Sequence, residues 1–116
     1  MACPISTARR WRANPAADLA ALMEAIKRDR PALVIIDTLA ASMPGLDENQ
    51  SSAMSRVVAV GRYIARHGAA VIFVRHGTKA EGNTSRGHSL FSGALDMALR
   101  LKAKDGDGVI RGTLTK

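Results

Sequence analysis

The spacing of apolar positions changes several times along the chain, and each change marks a predicted element. Leu19, Leu22, Met23 and Ile26 recur at i, i+3, i+4, i+7, one stripe of a helix. Asn14 suits the cap, Pro15 the first helical position and Asp18 the first turn. Lys27, Arg28 and Arg30 favour the negative end of the helix dipole, and Pro31 stops the helix. The period then disappears. Leu33 to Ile36 is a continuous, largely β-branched run, which predicts a strand buried on both faces, as in the middle of a parallel sheet. It ends at Asp37. Residues 38–49 read as a loop with a Pro44-Gly45 turn and an acidic pair, Asp47-Glu48. Helical spacing returns over about 50–67, with Met54, Val57, Val58, Gly61, Ile64 and Ala65 as the inner stripe. Gly68 fits the left-handed residue after a helix end. Ala70 to Val74 is a second buried strand, ending at Arg75-His76. Strand, helix, strand in this order predicts a βαβ unit with parallel strands.

Residues 77–89 form a polar, Gly-containing stretch of 13 residues, a length more often functional than accidental inside a compact domain. Leu90 to Leu95 suits a short helix. Residues 97–103 and 109–115 read as two strands around the turn Asp105-Gly106-Asp107-Gly108, a hairpin. Residues 1–13 have no period and read as a basic N-terminal arm ahead of one domain over 14–116. The fold class expected is α/β: a mainly parallel sheet with helices on its faces and a C-terminal hairpin.

Composition narrows the class. A chain of 116 residues with 47% apolar content is an ordinary globular length and composition. The net charge of +7 favours a polyanionic partner but says nothing of the fold. A lone Cys3 excludes an internal disulfide and fits a reducing compartment. Trp11 to Asn14 follows Arg9 and Arg10 where a secretion signal would carry an apolar run, and no run approaches the roughly 20 residues of a membrane helix. A cytoplasmic protein with no membrane partner is expected.

Asp37 is the sharpest candidate for chemistry. An Asp at the carboxyl end of a buried strand borders the crevice where α/β sheets bind ligands. In P-loop nucleotide hydrolases this is the Walker B position, which holds Mg²⁺, often through water. The plainer alternative is an Asp that caps the following loop. His76 ends the neighbouring strand, so the two residues should border one crevice, where a neutral imidazole can donate to a terminal phosphate; the alternative is a strand-end His bonded to loop backbone. Lys79 and Arg86 are basic residues among Gly, Ser, Thr and Asn, suited to phosphates of nucleotide or DNA or simply to solvent. The long stretch has no aromatic residue for base stacking. Trp11, beside three Arg, suits a terminal anchor better than a nucleic-acid arm. His67 and His88 have no comparable placement.

One Cys and three scattered His give no zinc spacing. Ala103 and Leu114 stand where a calcium loop at 105–108 would need carboxylates. No G-x-S-x-G occurs. No G-x-x-x-x-G-K-[ST] occurs either, so the magnesium-type Asp comes without a phosphate-cradling loop.

The run from Leu33 through Asp37 to Asn49 resembles the Walker B region of the RepA-like, AAA-type ATPases, RecA-fold proteins that include hexameric replicative helicases. Val74-Arg-His-Gly-Thr-Lys79 resembles the family's V-H-H-T-G-K segment, and Ser85-Arg-Gly-His-Ser-Leu-Phe-Ser-Gly-Ala-Leu-Asp96 its R-G-S-S-A-L-R-G-A-A-D segment. The resemblance covers about residues 18–116. It implies a partial RecA-like core, ATP and Mg²⁺ as cofactors, DNA as partner and a homo-hexamer in the intact family. Asp37 matches the magnesium-site aspartate, with Thr38 after it on the nucleotide side. His76 matches the second His, the γ-phosphate sensor; Lys79 matches the Lys after it; Arg86 matches the basic residue that reaches nucleotide or DNA. Arg75 stands where the family has its first His, Gly77-Thr78 reverses the usual order, and His88 replaces a Ser. The family places its first strand and Walker A loop ahead of what is here Met1. The function implied is therefore the Walker B portion of a DNA-coupled ATPase, inactive by itself. A non-catalytic nucleic-acid-binding module and a decayed gene fragment are the competing expectations.

Overall fold

A computed structural model of the chain describes residues 15–76, 86–103, 106 and 108–116. The predicted arm at 1–13 lies outside them.

Helix α1 spans Pro15–Asp29, starting at the predicted proline. It stops where Arg30 turns left-handed at φ +42° while its N–H still donates to the Ile26 carbonyl at 3.0 Å. Strand β1, Leu33–Ile36, follows. The next segment corrects the reading of 38–49 as loop. A short helix α2, Leu39–Ser42, forms there because Thr38 caps it: the Thr38 hydroxyl accepts from the Ala41 N–H at 3.3 Å. Leu39 is then fully buried. Asp47 makes the turn into the next helix, accepting from the Asn49 N–H at 2.9 Å.

Helix α3, Ser51–Arg66, and strand β2, Ala70–Phe73, complete the βαβ unit. Gly68 takes φ +90° at the helix end, as its position predicts. The strands are parallel, in the register Leu33↔Ala70 to Ile36↔Phe73. Met54, Val57, Val60 and Ile64 are the buried residues of α3. Val60 therefore belongs to the inner stripe and Ala65, which is exposed, does not. Gly61 permits the close approach of α3 to β2: a Cβ there would sit 3.1 Å from the Phe73 ring.

Among the described residues two clusters make the core. Ile36, Leu39, Met54, Val57 and Phe91 form one; Ile26, Val60, Ile64 and Ala69 form the other, with Val34 packed against both. Val71 and Phe73 join the same side. The opposite face corrects the expectation of strands buried twice over. Leu33, Ile35 and Ile72 are 48%, 56% and 47% exposed. Side chains alternate across a strand, and the described helices pack on the side of Val34, Ile36, Val71 and Phe73. A continuous apolar run is thus covered on one face only among the described residues.

Helix α4, Arg86–Ala94, begins four residues before the predicted short helix and takes the end of the predicted 77–89 loop into its first turn; residues 77–85 lie outside the description. Phe91 of α4 is buried and meets Phe73 edge-on, with centroids 5.7 Å apart. Strands β3, Leu99–Ala103, and β4, Ile110–Leu114, pair antiparallel as a separate two-stranded sheet. The two predicted C-terminal strands thus pair with each other as a ribbon, apart from β1 and β2.

Candidate functional site at the carboxyl ends of the parallel strands

The β1–β2 ladder continues one step past both strands. The Val74 N–H donates to the Ile36 carbonyl at 2.9 Å, and the Leu39 N–H donates to the Val74 carbonyl at 2.9 Å. Asp37 is thereby held beside Val74, and His76 leaves the same sheet edge two residues further on. Both side chains are exposed. The parallel register, rather than any direct bond, brings the two predicted residues to one edge. Thr38 is bent into the start of α2 with its hydroxyl occupied in capping, and the Asp37–Thr38 peptide is cis. Lys79 lies outside the described residues, and Arg86 opens α4.

The residue before His76 is the one that sequence reasoning passes over. Arg75 donates from Nε to Glu48 Oε2 at 2.8 Å, and Nη2 bonds the same oxygen. Its guanidinium also lies over the Phe91 ring, 5.2 Å from the centroid. The pair is partly buried, with side chains 20% and 27% exposed. Arg75 therefore ties the end of β2 to the turn before α3 and to α4. Its partners are remote in sequence, so the only signals are its departure from the H-H pair of the family it resembles and the acidic pair at 47–48.

The edge suits a hard divalent cation held through water. Mg²⁺ keeps several waters and takes one or two carboxylates plus substrate phosphates, and an exposed Asp37 offers one such carboxylate. Among the described residues no three His, Cys, Asp or Glu side chains gather into an all-protein metal cage. A backbone cradle for phosphates is not part of the described edge. A shallow groove lined by Ser55, Val58, Tyr63, Leu90 and Ala94 runs between α3 and α4 and contains none of the predicted site residues.

The family model for the AAA domain matches residues 3–82. The chain belongs to that family. AAA domains are AAA-type ATPases of the RecA-like superfamily, so a strand-end aspartate on a parallel βαβ unit agrees with the membership. The match takes in Asp37, Thr38, His76 and Lys79 and ends before Arg86. An ATPase-type function and dependence on nucleotide and Mg²⁺ follow from the AAA membership as a class. No curated protein matches the chain. Among the described residues no helix is long and apolar enough to cross a membrane.

Proposed function

We propose that this AAA domain is the Walker B portion of a RepA-like ATPase, in which ATP hydrolysis is coupled to DNA in the cytoplasm. The observation that carries the reading is the emergence of Asp37 and His76 at one edge of two parallel strands, fixed by the bond from Val74 to Ile36. In this reading Asp37 holds Mg²⁺ through water, and the metal neutralises phosphate charge when bound. His76 donates to the γ-phosphate, Thr38 and Lys79 face the nucleotide, and Arg86 contacts phosphate or DNA. Residues 14–116 form the ATPase part, residues 1–13 a basic arm, and the intact assembly is a homo-hexamer. A P-loop is not among these 116 residues, so the chain by itself does not turn over ATP.

Two measurements test this. Titration with Mn²⁺, a paramagnetic stand-in for Mg²⁺, in the presence of ATP should broaden amide signals of Asp37 and His76 first, and Asp37→Asn should remove that broadening. Broadening centred elsewhere sinks the site. Magnesium-dependent ATP turnover by the 116-residue chain, lost in Asp37→Ala, sinks the claim of inactivity while supporting the site.

A further inference from the structure

Helix α3 carries a second stripe beside its buried one. Ser55, Val58, Ala59, Arg62, Tyr63 and Arg66 follow at helical spacing and line one wall of the groove between α3 and α4. Leu90, Gly93 and Ala94 of α4 line the other. Ala59, Arg62, Arg66, Leu90 and Gly93 are exposed, so the groove is open to a partner. Along α3 the lining changes from small and apolar at Val58 and Ala59 to cationic and aromatic at Arg62, Tyr63 and Arg66. Arg66 also borders the neighbouring recess of Lys27, Arg30 and His67, so positive charge continues past the end of α3. Neither helix contains an Asp or Glu. Arg62 and Arg66 take part in no ion pair among the described residues.

We infer that this groove docks an acidic amphipathic helix of a partner protein, with its apolar stripe on Val58, Ala59, Leu90 and Ala94 and its carboxylates on Arg62 and Arg66. Side-chain ridges on two neighbouring helices leave a furrow whose shape suits the ridges of a third. The stripe from Ser55 to Arg66 rises about 16 Å along α3, which seats roughly three turns of a docked helix. Small residues at Ala59, Gly93 and Ala94 let that helix approach closely. Tyr and Arg are the residue types that most often carry binding energy at interfaces, and both stand at the cationic end.

Charge complementarity selects the occupant. Residues 1–13 of the chain itself carry three Arg and no carboxylate, so they are repelled by Arg62 and Arg66. A second copy brings a net charge of +7 to a basic surface. A nucleic acid supplies negative charge but no apolar side chains for Val58 and Leu90. The groove's one aromatic ring, Tyr63, is half-buried with its centroid 4.5 Å from that of His67, which leaves no platform for stacked bases.

The inference is independent of the Asp37 edge, so its failure leaves the proposed function untouched. The test is fluorescence anisotropy of the full chain with a labelled synthetic peptide of about 14 residues, with Leu at helical spacing and Glu on both flanks. A scrambled peptide of the same composition, lacking the stripe, should bind about tenfold more weakly or worse. R62A/R66A should weaken binding of the first peptide by about three- to tenfold. R111E makes the same change in net charge away from the groove and should stay within about twofold of wild type. Gly93→Gln leaves the charge alone and fills the groove, and should weaken binding about tenfold. A Cβ at Gly93 meets nothing within 4 Å, and Arg62 and Arg66 are exposed, so circular dichroism should be unchanged in these variants. Absence of binding by the wild-type chain, equal binding of the scrambled peptide, or wild-type affinity in Gly93→Gln overturns the groove. An equal loss in R111E overturns it too, as a diffuse charge effect. Displacement of the peptide by oligo(dT) that binds wild type but not Gly93→Gln would assign the groove to nucleic acid. A dimer in sedimentation that Gly93→Gln dissolves would assign it to a second copy.

Discussion

Arg75 shows how much one side chain can organise around the candidate site. Its guanidinium bonds Glu48 and lies on Phe91, while its backbone leads directly into His76. An exposed ion pair contributes about 0–1 kcal/mol, and hydrogen bonds to charged groups contribute about 1.5–3 where water is excluded. The intermediate burial of this pair places it between those limits. A double-mutant cycle with Arg75→Gln and Glu48→Gln should give a coupling of about 1 kcal/mol in urea unfolding. A coupling near zero would show that the pair does not hold the β2 end. At the same scale, Asp37 and His76 stand out in sequence because they come at the ends of the two apolar runs of one βαβ unit, whereas the pairing of Arg75 with Glu48 does not, because the two lie 27 positions apart and share no local pattern. Thr38 carries two readings at once. Its type and position before Leu39 suit a helix cap, and the hydroxyl that would face a nucleotide is already used for that cap.

Among elements, α3 has the most clearly determined seat. Its buried residues Met54, Val57, Val60 and Ile64 face the sheet, and Gly61 lets the Phe73 ring approach within 3.1 Å of where a Cβ would lie. Gly61→Val should therefore destabilise the fold by about 1–3 kcal/mol, since overpacking must displace a ring that also meets Phe91. Chemical denaturation checks this, and an unchanged midpoint would mean that the ring moves freely. The helical period shows the existence of α3 but not its rotation to within one residue. A stripe centred on Val58 and Ala65 or on Val57 and Val60 satisfies the same spacing, and packing on β2 chooses the second. Helix α2 is missed for a different reason. Four residues carry too little periodicity, and only the Thr38 cap and the burial of Leu39 make the turn helical.

For the whole molecule, the decisive feature is coverage. Leu33, Ile35 and Ile72 lie on the sheet face away from the described helices, and Leu99, Leu101, Ile110 and Leu114 on the open face of the ribbon. Exposed contiguous apolar surface promotes association. Ile35→Thr with Ile72→Thr should reduce concentration-dependent self-association in light scattering while retaining the helical circular-dichroism signal. Unchanged scattering would move the cause to another surface, the ribbon's apolar face being the next to vary. The +7 charge is legible from composition, yet its arrangement is not. Only the strand register gathers Arg100, Lys102 and Arg111 on one face.

The chain's own residues determine the order of the elements apart from α2, the parallel sense of β1 and β2, and the arrival of Asp37 and His76 at one strand edge. These depend on local period, on caps such as Pro15 and Gly68, and on the geometry of a βαβ crossover. Tertiary structure alone decides which strand faces are covered, which side of α3 faces inward, and that Arg75 reaches both Glu48 and Phe91. Such choices depend on contacts between residues far apart in sequence, whose energies no local pattern contains.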